Sequence, residues 1–304
     1  MTPAAPAPAP RVDLPRSEAR LRQLELLVTR RLDGLLQGDH QGLVPGGGTE
    51  PGDGRPYEPG DDVRRMDWCL TARSGTPHVR NTIADRELEL WLVVDNSASL
   101  DFGTAGCEKR DLVLAAGAAF GFLTARDGNR IGAVICGPDG TTVVPPRGGR
   151  PALLGLLARV ERRPRVGEGA VSLADALRRA RLTARRRSLV VVITDLLDKG
   201  PWPRELRALA YRHDVVVAEV RDPRETELPA VGLLTLVDPE TGRHLEVQTA
   251  NAKVRARFAA AAAAQVEAKE RAVKTAGAGH LVLSTDRDWM LDVVRFVARR
   301  RRRR

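Results

Sequence analysis

Asp95, Ser97 and Ser99 follow one another at every second position, directly after an apolar stretch that ends Leu92-Val93-Val94. One carboxylate and two hydroxyls are hard oxygen donors, the kind that Mg²⁺ takes. A second carboxylate, Asp195, closes another apolar run, Leu189–Thr194. Short Val/Leu-rich runs without polar alternation predict strands covered on both faces, as in a parallel sheet. Such sheets collect ligands in the crevice beyond the carboxyl ends of their strands, and two strands that end in Asp can share one. The same residues also suit a plain polar turn capping the next helix, because Asp and Ser are common turn formers.

Catalysis at this spot needs more than the chain supplies. An Asp at a strand end opens the nucleophile motif Asp-x-Asp-x-Thr/Val of haloacid-dehalogenase-type phosphatases, so a hydrolase using Asp95 is one alternative. Position 97 is serine where that motif places its acid–base aspartate. There is no Gly-x-Ser-x-Gly nucleophile elbow. The glycine run Gly46-Gly47-Gly48 is not followed by Gly-Lys-Ser/Thr and follows no strand, which rejects a phosphate loop. The histidines are scattered, and His213 and His280 begin predicted strands at the wrong sheet edge for the site. Cys69, Cys107 and Cys136 are odd in number and widely spaced, so free thiols in a reducing compartment are expected. The chain reads as a non-enzyme.

The elements that must position the two carboxylates alternate along the chain. Strands are predicted at 88–94, 131–136, 141–144, 189–194, 215–220 and 280–283. Helices are predicted at 109–125, 151–161, 172–186, 203–212, 251–276 and 288–299. Ser172 is placed to cap the third of these helices, and a hairpin is expected around 238–242. The strand–helix alternation argues for an α/β fold with a doubly wound, mostly parallel sheet. Ahead of it, Leu21, Leu24, Leu27, Val28, Leu32 and Leu35 recur at helical spacing, and residues 78–83 read as a further strand. The organisation expected is a disordered 1–16, a helix and loop region at 17–86, the sheet domain at 87–298 and a basic tail at 299–304.

The net charge of +10 raises the question of nucleic acid, but six of the positive charges are the closing run Arg299–Arg304. With two tyrosines and five phenylalanines there is no evident stacking platform. A nucleic-acid-binding protein using its arginine-rich segments is the second alternative, and nucleic acid is not the expected partner. No run approaches the ~18 apolar residues of a membrane span. Met1–Pro10 lacks both the basic start and the apolar core of a secretory signal. A cytoplasmic location is expected.

Asp-x-Ser-x-Ser after a buried strand resembles the metal-ion-dependent adhesion site of von Willebrand factor type A domains. A second stretch is more specific: Tyr57-Glu58-Pro59-Gly60-Asp61-Asp62, a basic residue, Asp67-Trp68, then Ala72-Arg73. It resembles the signature of the bacterial domain-of-unknown-function-58 family, which precedes a von Willebrand factor A-like domain. The resemblance implies that fold, with an N-terminal helix and a signature-loop extension. It implies a metal site of Asp95, Ser97, Ser99 and Asp195 holding Mg²⁺, whose open position accepts a carboxylate from a partner. The family's threonine ligand falls at Val171, which has no oxygen, so binding is expected to be weak unless Ser172 substitutes. It also implies a MoxR-type AAA+ ATPase partner in chaperone-like maturation or assembly of an unidentified client protein. Arg64, Asp67, Trp68 and Arg73 of the signature are either partner contacts or a loop tied by charge-assisted hydrogen bonds.

Overall fold

A computed structural model describes residues 21–22, 24–29, 55–58, 63, 66–79, 89–125, 129–137, 140–162, 172–239 and 242–302. Residues 1–16, the glycine run, Arg64, the turn at 84–87 and Val171 lie outside them. The chain divides into two compact units, 44–88 and a larger one made of 1–43 with 89–304.

The small unit pairs β1 (Arg55–Pro56) with β2 (His78–Val79) antiparallel, and helix α2 (Trp68–Ser74) lies between them in sequence. Asp67 caps α2, its Oδ1 accepting from the backbone N–H of Cys69 and Leu70 at 3.1 and 3.0 Å. Gly75 ends the helix at φ 71°, a left-handed conformation that glycine adopts without a Cβ clash. The described part of the signature around Asp67-Trp68 and Ala72-Arg73 is thus a short capped helix, and β1 and β2 form a two-strand clip beside it in sequence.

In the large unit, helical residues 21–22 and 24–29 form α1. Its Leu21, Leu24 and Val28 are buried, and Glu25 pairs with Arg150. The sheet strands are β3 (Glu89–Asp95), β4 (Arg130–Gly137), β5 (Gly140–Gly148), β6 (Leu189–Thr194), β7 (Asp214–Arg221) and β10 (Gly279–Ser284). Their order across the sheet is β10-β7-β6-β3-β4-β5, parallel except for the edge strand β5. The α/β, doubly wound, mostly parallel sheet expected from the sequence is therefore present.

The register explains the unbroken apolar runs. Trp91 and Val93 face one way and pack with Leu173 and Leu177 of α5 (Leu173–Thr183), Leu206 of α6 (Trp202–Arg212) and Val273 of α7 (Ala252–Thr275). Leu92 faces the other way, toward α3 (Lys109–Ala125) and α4 (Arg150–Glu161), where Gly117 lets α3 sit close to Leu92, Ile193 and Leu157. Every β6 residue is buried, each large one contributing about 1.5–3 kcal/mol. At the β5 edge, Pro145 and Pro146 fall where the register shifts between Ile131 and Ala133, a bulge opposite Gly132. The hairpin β8 (Leu233–Val237) and β9 (His244–Gln248) forms a separate two-stranded sheet.

α8 runs from Trp289 through Arg302, so Arg299–Arg302 is its last turn rather than a separate tail. Arg300 pairs with Asp214, and its guanidinium lies 5.9 Å from the Phe296 ring centroid. All three cysteines are free, and among the described residues no helix is long and apolar enough to cross a membrane.

Candidate functional site

The chain leaves β3 for β4 on one side, while β6 lies against β3 on the other. The carboxyl ends of β3 and β6 are therefore the switch point of the sheet, where open α/β folds place their ligands. Asp95 and Asp195 both stand there, 3% and 1% exposed. A network joins them. Ser97 N–H donates to Asp95 Oδ1 at 2.9 Å, and Thr194 Oγ1 donates to Asp95 Oδ2 at 2.7 Å. The Ser97 and Ser99 hydroxyls lie 2.9 Å apart, and Ser99 Oγ donates to Asp195 Oδ2 at 2.7 Å. Leu197 N–H closes the second loop on Asp195 Oδ1 at 3.1 Å.

Leu196 adopts φ 54°, a conformation that costs a non-glycine residue roughly 1–3 kcal/mol. The strain turns the chain sharply after Asp195, and burial of Leu196 in the core offsets it. The following loop is fixed by Asp198, whose Oδ2 accepts the Leu173 N–H at 2.8 Å and so ties it to the start of α5.

The surrounding charge comes from residues that local sequence does not bring near Asp195. Lys109, 1% exposed in the first turn of α3, donates to Asp195 Oδ2 at 2.8 Å and to Glu225 Oε1 at 2.5 Å. Burial lowers the Lys109 pKa, but the two carboxylates outweigh it and hold the ammonium above its ordinary value. Lys269 of α7 donates to the Asp195 carbonyl at 2.7 Å. Among the described residues no cation pairs with Asp95 in this way. Burial first, and the Asp195 charge second, raise its pKa to about 6 against the opposing bonds from Thr194 and Ser97.

A little farther along the edge, Glu219 on β7 is fully buried. It takes both forks of Arg221 at 2.8 and 2.7 Å and lies 2.8 Å from His280 Nε2.

The profile of the family described as "Protein of unknown function DUF58" matches residues 53–268 of this chain. The chain belongs to that family. "Uncharacterized protein Rv1480" of Mycobacterium tuberculosis is 52% identical to this DUF58 chain over 297 residues, covering 96% of the chain and 92% of the relative. Among solved structures, an aerotolerance-related membrane protein of Bacteroides fragilis is similar at 12% identity and a TM-score of 0.47, over 71% of this chain and all of that one. The conserved hypothetical protein BatB of Bacteroides thetaiotaomicron is similar at 14% identity and a TM-score of 0.43, over 71% and 99% of the two chains.

Within the DUF58 chain, four of the expected ligands come together: Asp95, Ser97, Ser99 and Asp195. Ser172 does not join them through any of these bonds. Its Oγ accepts the Asp175 N–H at 3.2 Å and caps α5. Asp67, Trp68 and Arg73 belong to the small unit, where Trp68 is 69% exposed, Arg73 is exposed and Asp67 serves as the helix cap.

The donor atoms are of the right type for Mg²⁺, but their arrangement does not fit the ion. Asp195 Oδ2 already carries two donors, one of them the Lys109 ammonium, and the serine hydroxyls are bonded to each other. Asp95, buried with both oxygens engaged, presents no free nucleophile to a substrate.

Thr194, Lys109, Glu225 and Lys269 were missed from sequence. Thr194 carried a signal, a hydroxyl at the end of an apolar strand just before the Asp. Lys109 carried none.

Proposed function

We propose that this DUF58 protein is a protein-interaction module, that its docking face is the crevice at the carboxyl ends of β3 and β6, and that its working partner is a MoxR-type AAA+ ATPase. The observation that carries the reading is the Ser99–Asp195 bond of 2.7 Å, which locks the loop after β3 to the loop after β6. A cluster that is buried and internally bonded serves to hold loops, and held loops present a surface of fixed shape. Fixed shape lowers the entropy lost on binding. The resemblance to von Willebrand factor A-like domains suggests the place of docking, and the DUF58 resemblance suggests the ATPase and the role, chaperone-like maturation of a client. The exposed Trp68, with Arg73 on the same helix, offers a second contact of the residue types that dominate binding energy.

Phe102, 39% exposed on the loop after β3, is the probe for the crevice. The affinity-tagged chain is expected to co-purify with a MoxR-type ATPase from the same cell. Phe102→Asp should weaken that capture by about tenfold or more, as loss of an apolar anchor does, with the melting temperature unchanged. No ATPase in the eluate, or full capture by Phe102→Asp, would overturn the reading.

A further inference from the structure

Lys109 is placed with more care than an accidental buried lysine needs. It opens α3, its backbone N–H donates to the Phe102 carbonyl at 2.9 Å, and its ammonium sits between Asp195 and Glu225. Glu225 is itself fixed. Its Oε2 accepts the Asp222 N–H at 3.1 Å in a capping box, and Asp222 takes Thr104 Oγ1 at 2.6 Å and Thr285 Oγ1 at 2.7 Å. Two segments thus meet at one nitrogen, the end of β6 through Asp195 and the turn after β7 through Glu225. The loop after β3 is tied to the same two segments, to Asp195 by Ser99 and to Asp222 by Thr104. A buried ammonium keeps its charge only where carboxylates replace its lost water, and here two do.

A divalent ion bound through Asp195 Oδ2, the oxygen that faces the Ser99 hydroxyl, would compete for the space that Nζ holds at 2.8 Å. Two cations at that distance repel strongly in a water-excluded site. We propose that the Lys109 ammonium is the resident cation of this crevice, organising Asp195, Ser99 and Glu225 in place of a divalent metal, so that the docking face is built without one. This deepens the docking reading in what it says the crevice is for; the exclusion of metal stands on the geometry alone.

The test uses the full chain, stripped with EDTA, followed by thermal melting and by calorimetric titration with MgCl₂. The wild type is expected to melt at the same temperature in EDTA and in millimolar MgCl₂, and to give no binding isotherm. Lys109→Met leaves Asp195 and Glu225 without the ammonium that bridges their side chains, with Lys269, bonded to the Asp195 carbonyl at 2.7 Å, as the cation that still acts on both. That variant should melt lower and recover part of the loss with MgCl₂, because a ligand bound only by the native state stabilises it. Should Lys109→Met fail to fold, the double variant Lys109→Met/Asp195→Asn is decisive. It should fold and be indifferent to MgCl₂, since ammonium and carboxylate are removed together.

A rise in wild-type melting temperature with MgCl₂ that Asp195→Asn abolishes would overturn the proposal. So would a Lys109→Met protein as stable as the wild type. Loss of ATPase capture with these metal responses intact would sink the docking reading and leave the assignment of Lys109 standing.

Discussion

Replacing Glu219 with glutamine should be among the most damaging single changes of a polar side chain in this fold. The carboxylate has no exposed surface and is held by the Arg221 fork, by His280 and, at 3.6 Å, by Lys269. Burial alone would raise its pKa. The bonds from His280 and Arg221 and the charges of Arg221 and Lys269 overcome that and bring it from 4.5 to about 2. A depressed carboxylate contributes stability that is complete above its unfolded pKa and is lost as pH falls through its folded one. At neutral pH that contribution is about 3 kcal/mol at ~1.4 kcal/mol per unit, the lower end of the cost of breaking a buried ion pair. Glutamine also leaves two cations and an imidazole crowded together. For a domain of this size the loss corresponds to a fall in melting temperature of roughly 6–12 °C. Melting followed by circular dichroism between pH 7 and pH 3 reads it directly. The gap between wild type and Glu219→Gln should be full at pH 7 and shrink steadily below 4.5. A deficit under about 1 kcal/mol at pH 7, the range of an ordinary surface pair, or one that does not shrink in acid, would refute the reasoning.

Asp95 has the opposite sign. Its folded pKa of about 6 lies above the ordinary 3.8, so its contribution to stability falls as pH rises through that window. Asp95→Asn should flatten the dependence of melting temperature on pH between these values, and an unchanged slope would show that another group sets it. Gly103→Ala would drive a Cβ into the Cys107 carbonyl and the Glu108 Cα, both backbone. It should cost about 1–3 kcal/mol and loosen the loop that delivers Lys109, read as faster amide exchange at residues 102–108. Arg300→Ala should lower stability by about 1 kcal/mol through Asp214 and Phe296, whereas the exposed Arg299→Ala should stay within ~0.5 kcal/mol in the same denaturant titration.

What could be read from sequence was whatever repeats on a local period. The apolar runs before Asp95 and Asp195 gave both central strands, because two-sided burial removes the polar alternation that marks a half-exposed strand. Helices α3 to α8 were expected within a few residues of their bounds. The convergence of the two aspartates followed from topology, since strands covered by crossovers run parallel and end together. The partners of those aspartates were not legible. Lys109 lies 86 residues from Asp195 and 116 from Glu225, and in the run Lys-Arg-Asp-Leu-Val it looks like any solvated helix start. Glu219 was a missed cue: a carboxylate inside Val-Val-Val-Ala-Glu-Val demands compensating charge, although nothing local names its source. The arginine run hides a partner for a related reason. A basic tail is expected at 299–304, and nothing in the run of like charges tells that Arg300 finds Asp214.

The bulged strand β5 limits how any partner can approach. An edge strand ordinarily offers a row of free N–H and C=O groups, and another chain can recruit them by lying alongside as an extra strand. Pro145 and Pro146 lack N–H groups, and the bulge they occupy throws the strand out of register opposite Gly132. A guest strand therefore finds a broken ladder at that edge. Accidental pairing between copies of the unfolding chain is discouraged there, and so is recognition by strand addition. A binding partner on that side must read side chains and loop shape, not backbone.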